Sequence, residues 1–162
     1  MNSLSSSGLL HRSHEEETQE LALDLAAAWD AADLDSDVAS WMTRPGILRR
    51  IAAALSLRIP PDVDRIVAIG PGAQALGAAT SLATGIDYAV LEGDGFGSVR
   101  PGERVIVIAA LDSEDPAGLP PQAVCVSSLV VARRHRSGTI DDHELFVMNE
   151  NGRLGLPERI SE

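Results

Sequence analysis

The chain has 162 residues, 44% of them hydrophobic, enough for a single domain with a proper core. Its net charge of −11 opposes a polyanion, because nucleic-acid binding draws affinity from Lys and Arg neutralising phosphates, so no nucleic-acid partner is expected. All 13 basic residues are arginine; the lack of lysine excludes any mechanism needing a lysine amine, and the single Cys125 excludes an intrachain disulfide or a cysteine metal cluster.

Met1 to Ser13 is polar and Ser-rich, with Leu9-Leu10 its one apolar pair. It lacks the apolar stretch of a signal peptide and any span that would cross a bilayer. It is expected to be a disordered leader, followed by one domain over 14–162 of a cytoplasmic protein with no membrane partner. Ser13 is the expected N-cap of a first helix, with Glu15, Glu16 and Glu17 in its first turn, where the dipole favours acids, and Leu21, Leu25, Ala28 and Trp29 at helical spacing. The acidic stretch that follows offers Asp30, Asp33, Asp35 and Asp37, but it lacks the glycine and closing glutamate of an EF-hand loop and is read as a solvated helix end. Trp41-Met42 and then Pro45 to Leu57 predict a second helix, with Ile47, Leu48, Ile51 and Leu55 on one face, ended by Pro60-Pro61.

From Arg65 the pattern changes. Arg65 to Ile69, Tyr88 to Leu91 and Arg104 to Leu111 are apolar runs without alternation, the first two separated by an Ala/Leu-rich helical segment ending at Thr84. Such runs indicate strands buried on both faces of a parallel sheet. Ligands of open parallel sheets bind at the carboxyl ends of the strands, here Gly70 to Ala75, Glu92 to Gly97 and Asp112 to Gly118. Ala123 to Ala132 is a fourth strand, either parallel through a tight return or antiparallel at an edge, since the loop from Asp112 to Gln122 is near the length limit for a crossover. Cys125 within it is read as a buried, inert thiol. Arg133-Arg134-His135-Arg136 is the one basic cluster, read as a charged strand end, with an anion-holding role as the alternative. Glu144 to Met148 followed by the Asn151-Gly152 turn signal predicts a C-terminal β-hairpin. The expectation is an α/β fold with a parallel, Rossmann-like core, N-terminal helices and that hairpin. His11, His14, His135 and His143 fall in polar segments, so no Ser/His/Asp set is argued and no catalytic residue is assigned.

A strand entering Gly70-Pro71-Gly72 and then a helix N-terminus aims backbone N–H groups outward at a positive dipole end, an anion site; it is equally the ordinary way to join strand to helix. Gly70, Pro71, Gly72, Ala73, Gln74 and Ala75 fit G-x-G-x-x-A, and Glu92 stands where the dinucleotide fingerprint places a ribose-binding acid. A Rossmann-like NAD or adenosyl-ligand binder using Gly70, Gly72, Ala75 and Glu92 is therefore one reading.

A second reading covers more of the chain. Asp62 to Pro71, Ala73 to Ala79 and Gly95 to Ile108, including the Pro101-Gly102-Glu103-Arg104 turn into a strand, resemble the type I phosphoribosyltransferases, particularly their orotate branch. The resemblance spans roughly residues 40 to 132. It implies a pyrophosphate loop at Gly70 to Ala75, and it places two adjacent ribose-binding acids and a Thr/Gly-rich phosphate loop after the third strand. This chain departs from that pattern: the acids fall on Ala109 and Ala110, and the loop reads Asp112, Ser113, Glu114, Asp115, Pro116. Three carboxylates repel a phosphate dianion, about 1 kcal/mol per unit pair at ~4 Å even in water, and Pro116 has no N–H for a cradle. The lysine-bearing catalytic loop of the orotate branch has no counterpart. The resemblance therefore implies a degenerate member, a ligand-binding or regulatory module without transferase activity. The alternative within it is an active glycosyltransferase in which Asp112, Glu114 or Asp115 holds Mg²⁺. The partner expected is a small phosphorylated ligand or nucleotide, and Trp29 and Trp41 with Ala-rich helices are offered as the apolar face of a homodimer.

Overall fold

The computed structural model describes residues 13–29, 38–91, 97–111, 119–134, 144–148 and 154–157. Helices α1 (His14–Ala28), α2 (Val38–Met42) and α3 (Pro45–Ser56) precede strand β1 (Arg65–Ile69) and helix α4 (Ala73–Thr84); β2 (Tyr88–Val90), β3 (Arg104–Leu111), β4 (Val124–Arg134), β5 (Glu144–Met148) and β6 (Leu154–Gly155) follow. The six strands form one sheet in the order β2-β1-β3-β4-β5-β6. β1 to β5 are mutually parallel and β6 returns antiparallel to β5. Every parallel strand therefore ends at the same edge of the sheet, and the order reverses direction at β1/β3, the switch point where doubly wound sheets place ligands.

The expected elements form for the expected reasons. Ser13 Oγ accepts the Glu16 N–H at 3.2 Å while a Glu16 carboxylate oxygen accepts the Ser13 N–H at 3.0 Å, a complete capping box. Pro45 starts α3, and Ile47, Ile51 and Leu55 are buried along one face with Leu48 half-buried beside them. The question left open for the fourth strand is settled as parallel to β3. Two readings are corrected. A further short helix, α2, forms at Trp41-Met42, and Trp29 and Trp41 are 7% and 0% exposed, with ring centroids 6.4 Å apart inside the core, so they provide no dimer face. Cys125 is exposed rather than buried. Burial nevertheless pushes its thiol up, which keeps it protonated and poorly nucleophilic.

The main core joins the helices to one face of the sheet through Ile66, Ala68, Ile106, Ile108 and Ala110. The opposite face of β1 and β3 buries Val67, Ile69, Val105, Val107 and Ala109, packed by Leu91, Val99 and Leu119. Two-sided burial explains why these strands read as unbroken apolar runs. Close packing of α4 on the sheet requires Gly77, where an added Cβ would lie 2.6 Å from the Tyr88 ring and 3.0 Å from the Ala68 Cβ.

The amino-terminal edge of the sheet is held by charge. Arg65 donates from Nε and Nη2 to both carboxylate oxygens of Glu103 at 2.9 and 3.0 Å, and the Arg100 amide donates to Glu103 at 2.8 Å. Arg104 pairs with Asp62 at 2.6 Å, and its amide donates to the Asp64 carboxylate at 2.8 Å. The Arg65 guanidinium first, and the Arg100 amide second, lower the Glu103 carboxyl from 4.5 to about 2. A folded-state value below the unfolded one means that the stabilisation is complete above pH 4.5 and is lost as pH falls through about 2. Wild-type urea midpoints should therefore fall more steeply than those of Glu103→Gln across that window; parallel profiles would contradict the assignment. Gly77→Ala should cost about 1–3 kcal/mol in urea unfolding, because a tightly packed contact is overfilled.

Candidate functional site

β1 and β3 are in register, with Ile69 opposite Ala109. Gly70 thus emerges beside Ala110, so the glycine turn and the end of β3 share the switch point. Gly70-Pro71-Gly72-Ala73 closes as a β-turn: Ala73 N–H donates to Gly70 C=O at 3.0 Å, and Gly72 adopts φ 73°, ψ 9°. Proline in the second and a left-handed glycine in the third position define a type II turn. Gly72 is also the N-cap of α4 and, having no side chain, leaves the helix start without a side-chain cap. Two of the six backbone positions from Gly70 to Ala75 are therefore lost to a ligand, since Pro71 has no N–H and that of Ala73 is spent in the turn. Gln74 and Ala75 stand at the second and third helix positions, where N–H groups lack an intrahelical acceptor. Pro71 and Gln74 are exposed, Gly70, Gly72 and Ala75 partly so, and Ala73 is buried.

Both alanines at the expected acid positions are 2% exposed. Ala109 belongs to the core opposite the helices and Ala110 to the core beneath them; neither offers a polar atom to a ribose. Glu92, Asp112, Ser113, Glu114, Asp115, His135, Arg136, His143 and the Asn151-Gly152 turn lie outside the described residues, as do Asp30, Asp33, Asp35 and Asp37. A cleft of about 640 Å³ is lined by Glu17, Thr18, Leu21, Arg50, Ala54 and Leu57, among others. Its walls are α1 and α3 and the residue after α3, so it is unrelated to the carboxyl edge.

Two features of this region are invisible to sequence spacing. Met42, at the end of α2, rests on Gly72: a Cβ built there would lie 1.9 Å from the Met42 Sδ. Gly72 is thus required both by its positive φ and by this contact. The second is a buried charge. Glu144, 2% exposed, lies with its Oε2 2.9 Å from Arg133 Nε, an ion pair by distance without hydrogen-bond alignment at those two atoms. The Arg58 guanidinium donates to the Glu144 carbonyl. Arg133, from the basic cluster, is therefore engaged with an internal carboxylate. Other arginines are likewise spent internally: Arg50 on Asp24, Arg65 on Glu103 and Arg104 on Asp62.

With this geometry established, comparison places the fold. The chain is similar to the UMP synthase of Leishmania donovani, at 24% identity and a TM-score of 0.56 over 72% of this chain and 32% of that one. It is also similar to the orotate phosphoribosyltransferase of Mycobacterium tuberculosis, solved in complex with 5-phospho-α-D-ribosyl 1-diphosphate, at 19% identity and a TM-score of 0.58 over 73% and 83% of the two chains. The matched region is about a third of the UMP synthase chain. No protein-family model and no curated protein sequence matches. The α/β fold, with its largely parallel sheet and C-terminal hairpin, is that of the type I phosphoribosyltransferases. At these identities the likeness carries the fold alone.

The buried pair gives a test independent of any ligand. Arg133→Met should destabilise the protein by about 3–5 kcal/mol in denaturant unfolding, because a buried carboxylate loses the Arg133 guanidinium beside it, and adding Glu144→Leu should restore much of the loss. A single variant within about 0.5 kcal/mol of wild type, the range of neutral surface changes, would show the pair to be unimportant.

Proposed function

We propose that this chain is a phosphoribosyltransferase-fold module that binds a small phosphorylated ribose ligand or nucleotide at Gly70 to Ala75 and does not transfer phosphoribosyl groups. The observation that carries the proposal is the pair Ala109 and Ala110, buried at 2% each beside a glycine turn of which Pro71 and Gln74 are exposed. The turn keeps what anion binding needs at a helix start, a positive dipole end and uncapped backbone positions at Gln74 and Ala75. Among the described residues, the end of β3, Ala109-Ala110-Leu111, offers no polar side chain to ribose hydroxyls. Transfer also needs positive charge placed where negative charge develops on the departing pyrophosphate. Here there is no lysine, and Arg65, Arg104 and Arg133 are committed to internal carboxylates.

The orotate phosphoribosyltransferase of similar fold was solved with phosphoribosyl diphosphate, which makes that compound the first probe. Calorimetric and thermal-shift titration with phosphoribosyl diphosphate, ribose 5-phosphate and nucleoside monophosphates, with and without Mg²⁺, should show saturable binding of at least one. The expected stabilisation is about 2.7 kcal/mol at a hundredfold excess over Kd. Incubation with phosphoribosyl diphosphate and orotate or another nucleobase should yield no nucleotide. Nucleotide formation would overturn the loss of transfer, and silence from every ligand would overturn the binding role.

A further inference from the structure

We propose that α2 is a displaceable plug on the glycine turn, seated through Met42, so that ligand binding at the turn is coupled to lifting this helix. The inference rests on the ligand-binding reading of Gly70 to Ala75 and adds its regulation. Met42 Sδ and Cε lie 1.9 and 2.6 Å from the position a Cβ would take on Gly72. The thioether thus fills the side-chain space of the residue that caps α4. Met42 itself is 7% exposed, so solvent does not occupy that space in the seated arrangement.

A helix of five residues, Val38–Met42, does not hold itself together, because the cost of nucleation exceeds what one turn of hydrogen bonds returns. Its neighbours hold it. Ser40 Oγ donates to the Ala28 carbonyl at the end of α1 at 3.1 Å, Trp41 packs tilted at 32° against Trp29, and the Thr43 hydroxyl closes the turn onto the Ser40 carbonyl at 2.7 Å. This seat is imperfect in one specific respect. The indole N–H groups of both Trp29 and Trp41 are buried with no hydrogen-bond partner among the described residues, whereas buried donors are paired in the great majority of cases. Lifting α2 gives both donors access to water and clears Gly72 in the same movement. The seated state has apolar burial in its favour and the lifted state has satisfied donors. An element balanced in this way has two arrangements that a ligand can bias. A ligand that needs the lifted state binds with its intrinsic Kd divided by the lifted fraction, and shortening Met42 raises that fraction.

The two tryptophans are the only ones in the chain, so intrinsic emission reports on this contact alone. Wild type and Met42→Ala are titrated with phosphoribosyl diphosphate and with ribose 5-phosphate, following heat and tryptophan emission together. The expected result is a red shift of wild-type emission on saturation and a Kd at least tenfold lower in Met42→Ala. Should Met42→Ala fail to fold by circular dichroism, Met42→Val, which lacks the atoms beyond Cγ, takes its place. Equal Kd values in wild type and variant, or binding that leaves wild-type emission unchanged, would refute the plug and leave the ligand site standing. No binding by either protein would remove the ligand site and the plug with it.

Discussion

The in-register parallel pairing of β1 with β3 is the constraint on which the rest of the structure depends. With Ile69 opposite Ala109 and β2 on the far side of β1, the chain reverses direction across the sheet between these two strands. The turn after β1 and the end of β3 are thereby set side by side. The pairing survives because each strand is apolar on both faces: Ile66, Ala68, Ile106 and Ile108 bury toward the helices, Val67, Val105 and Val107 on the other side. A slip of one residue would exchange the two faces while leaving both apolar, so side-chain polarity alone fixes the register weakly. The charges below the strands add what polarity lacks. Arg65 faces Glu103, and the Asp64 and Arg104 backbones exchange N–H to C=O and N–H to carboxylate bonds at 2.8 Å, and these fit only one alignment.

An acidic chain with few cations has spent several of them on its own architecture. Arg65, Arg104 and Arg133 each tie two segments remote in sequence: β1 to the turn before β3, β3 to the loop before β1, and β4 to β5. The half-exposed pairs contribute little in water, but Arg65 with Glu103 is mostly buried and doubly hydrogen-bonded, and Glu144 is buried outright. Guanidinium groups suit this work because their planar fork meets a carboxylate with two parallel bonds. Arginines used in this way are unavailable to a phosphorylated ligand.

Much of this was legible in the sequence, and what was not has a common cause. The strands β1 and β3, the glycine turn, the start of α4 and the capping box at Ser13 follow from neighbouring residues, and local rules find them. Those rules also find Pro101-Gly102, where a positive φ of 85° at Gly102 and a bond from Glu103 N–H to Arg100 C=O make the turn into β3. The errors and omissions involve partners far apart in sequence. Cys125 sits in an apolar run but near the exposed amino end of β4. Trp29 and Trp41 look like surface anchors until α2 folds them together. Glu144 reads as an ordinary strand-start acid, and only the parallel arrangement of β4 and β5 brings Arg133 to it. Met42 and Gly72 are thirty positions apart, and neither carries a signal of the other.

The two edges of the sheet have different physical loads, and this bears on how such a fold can keep its shape while its chemistry changes. The amino edge carries the Arg65–Glu103 and Arg104–Asp62 pairs and the backbone bonds that hold the strands in register, among them Gly102 N–H to Gln122 C=O and Val124 N–H to Glu103 C=O, each at 2.9 Å. Among the described residues, the carboxyl edge carries the glycine turn after β1. A carboxylate at Ala109 or Ala110, each only 2% exposed, would have to be desolvated, so alanine suits the fold at these positions. The glycine turn is under a different constraint: Gly72 must remain glycine for its φ of 73° and for Met42 whether or not a ligand ever occupies it. Packing alone accounts for this glycine, whereas the uncapped start of α4 leaves the Gln74 and Ala75 N–H groups without an intrahelical acceptor.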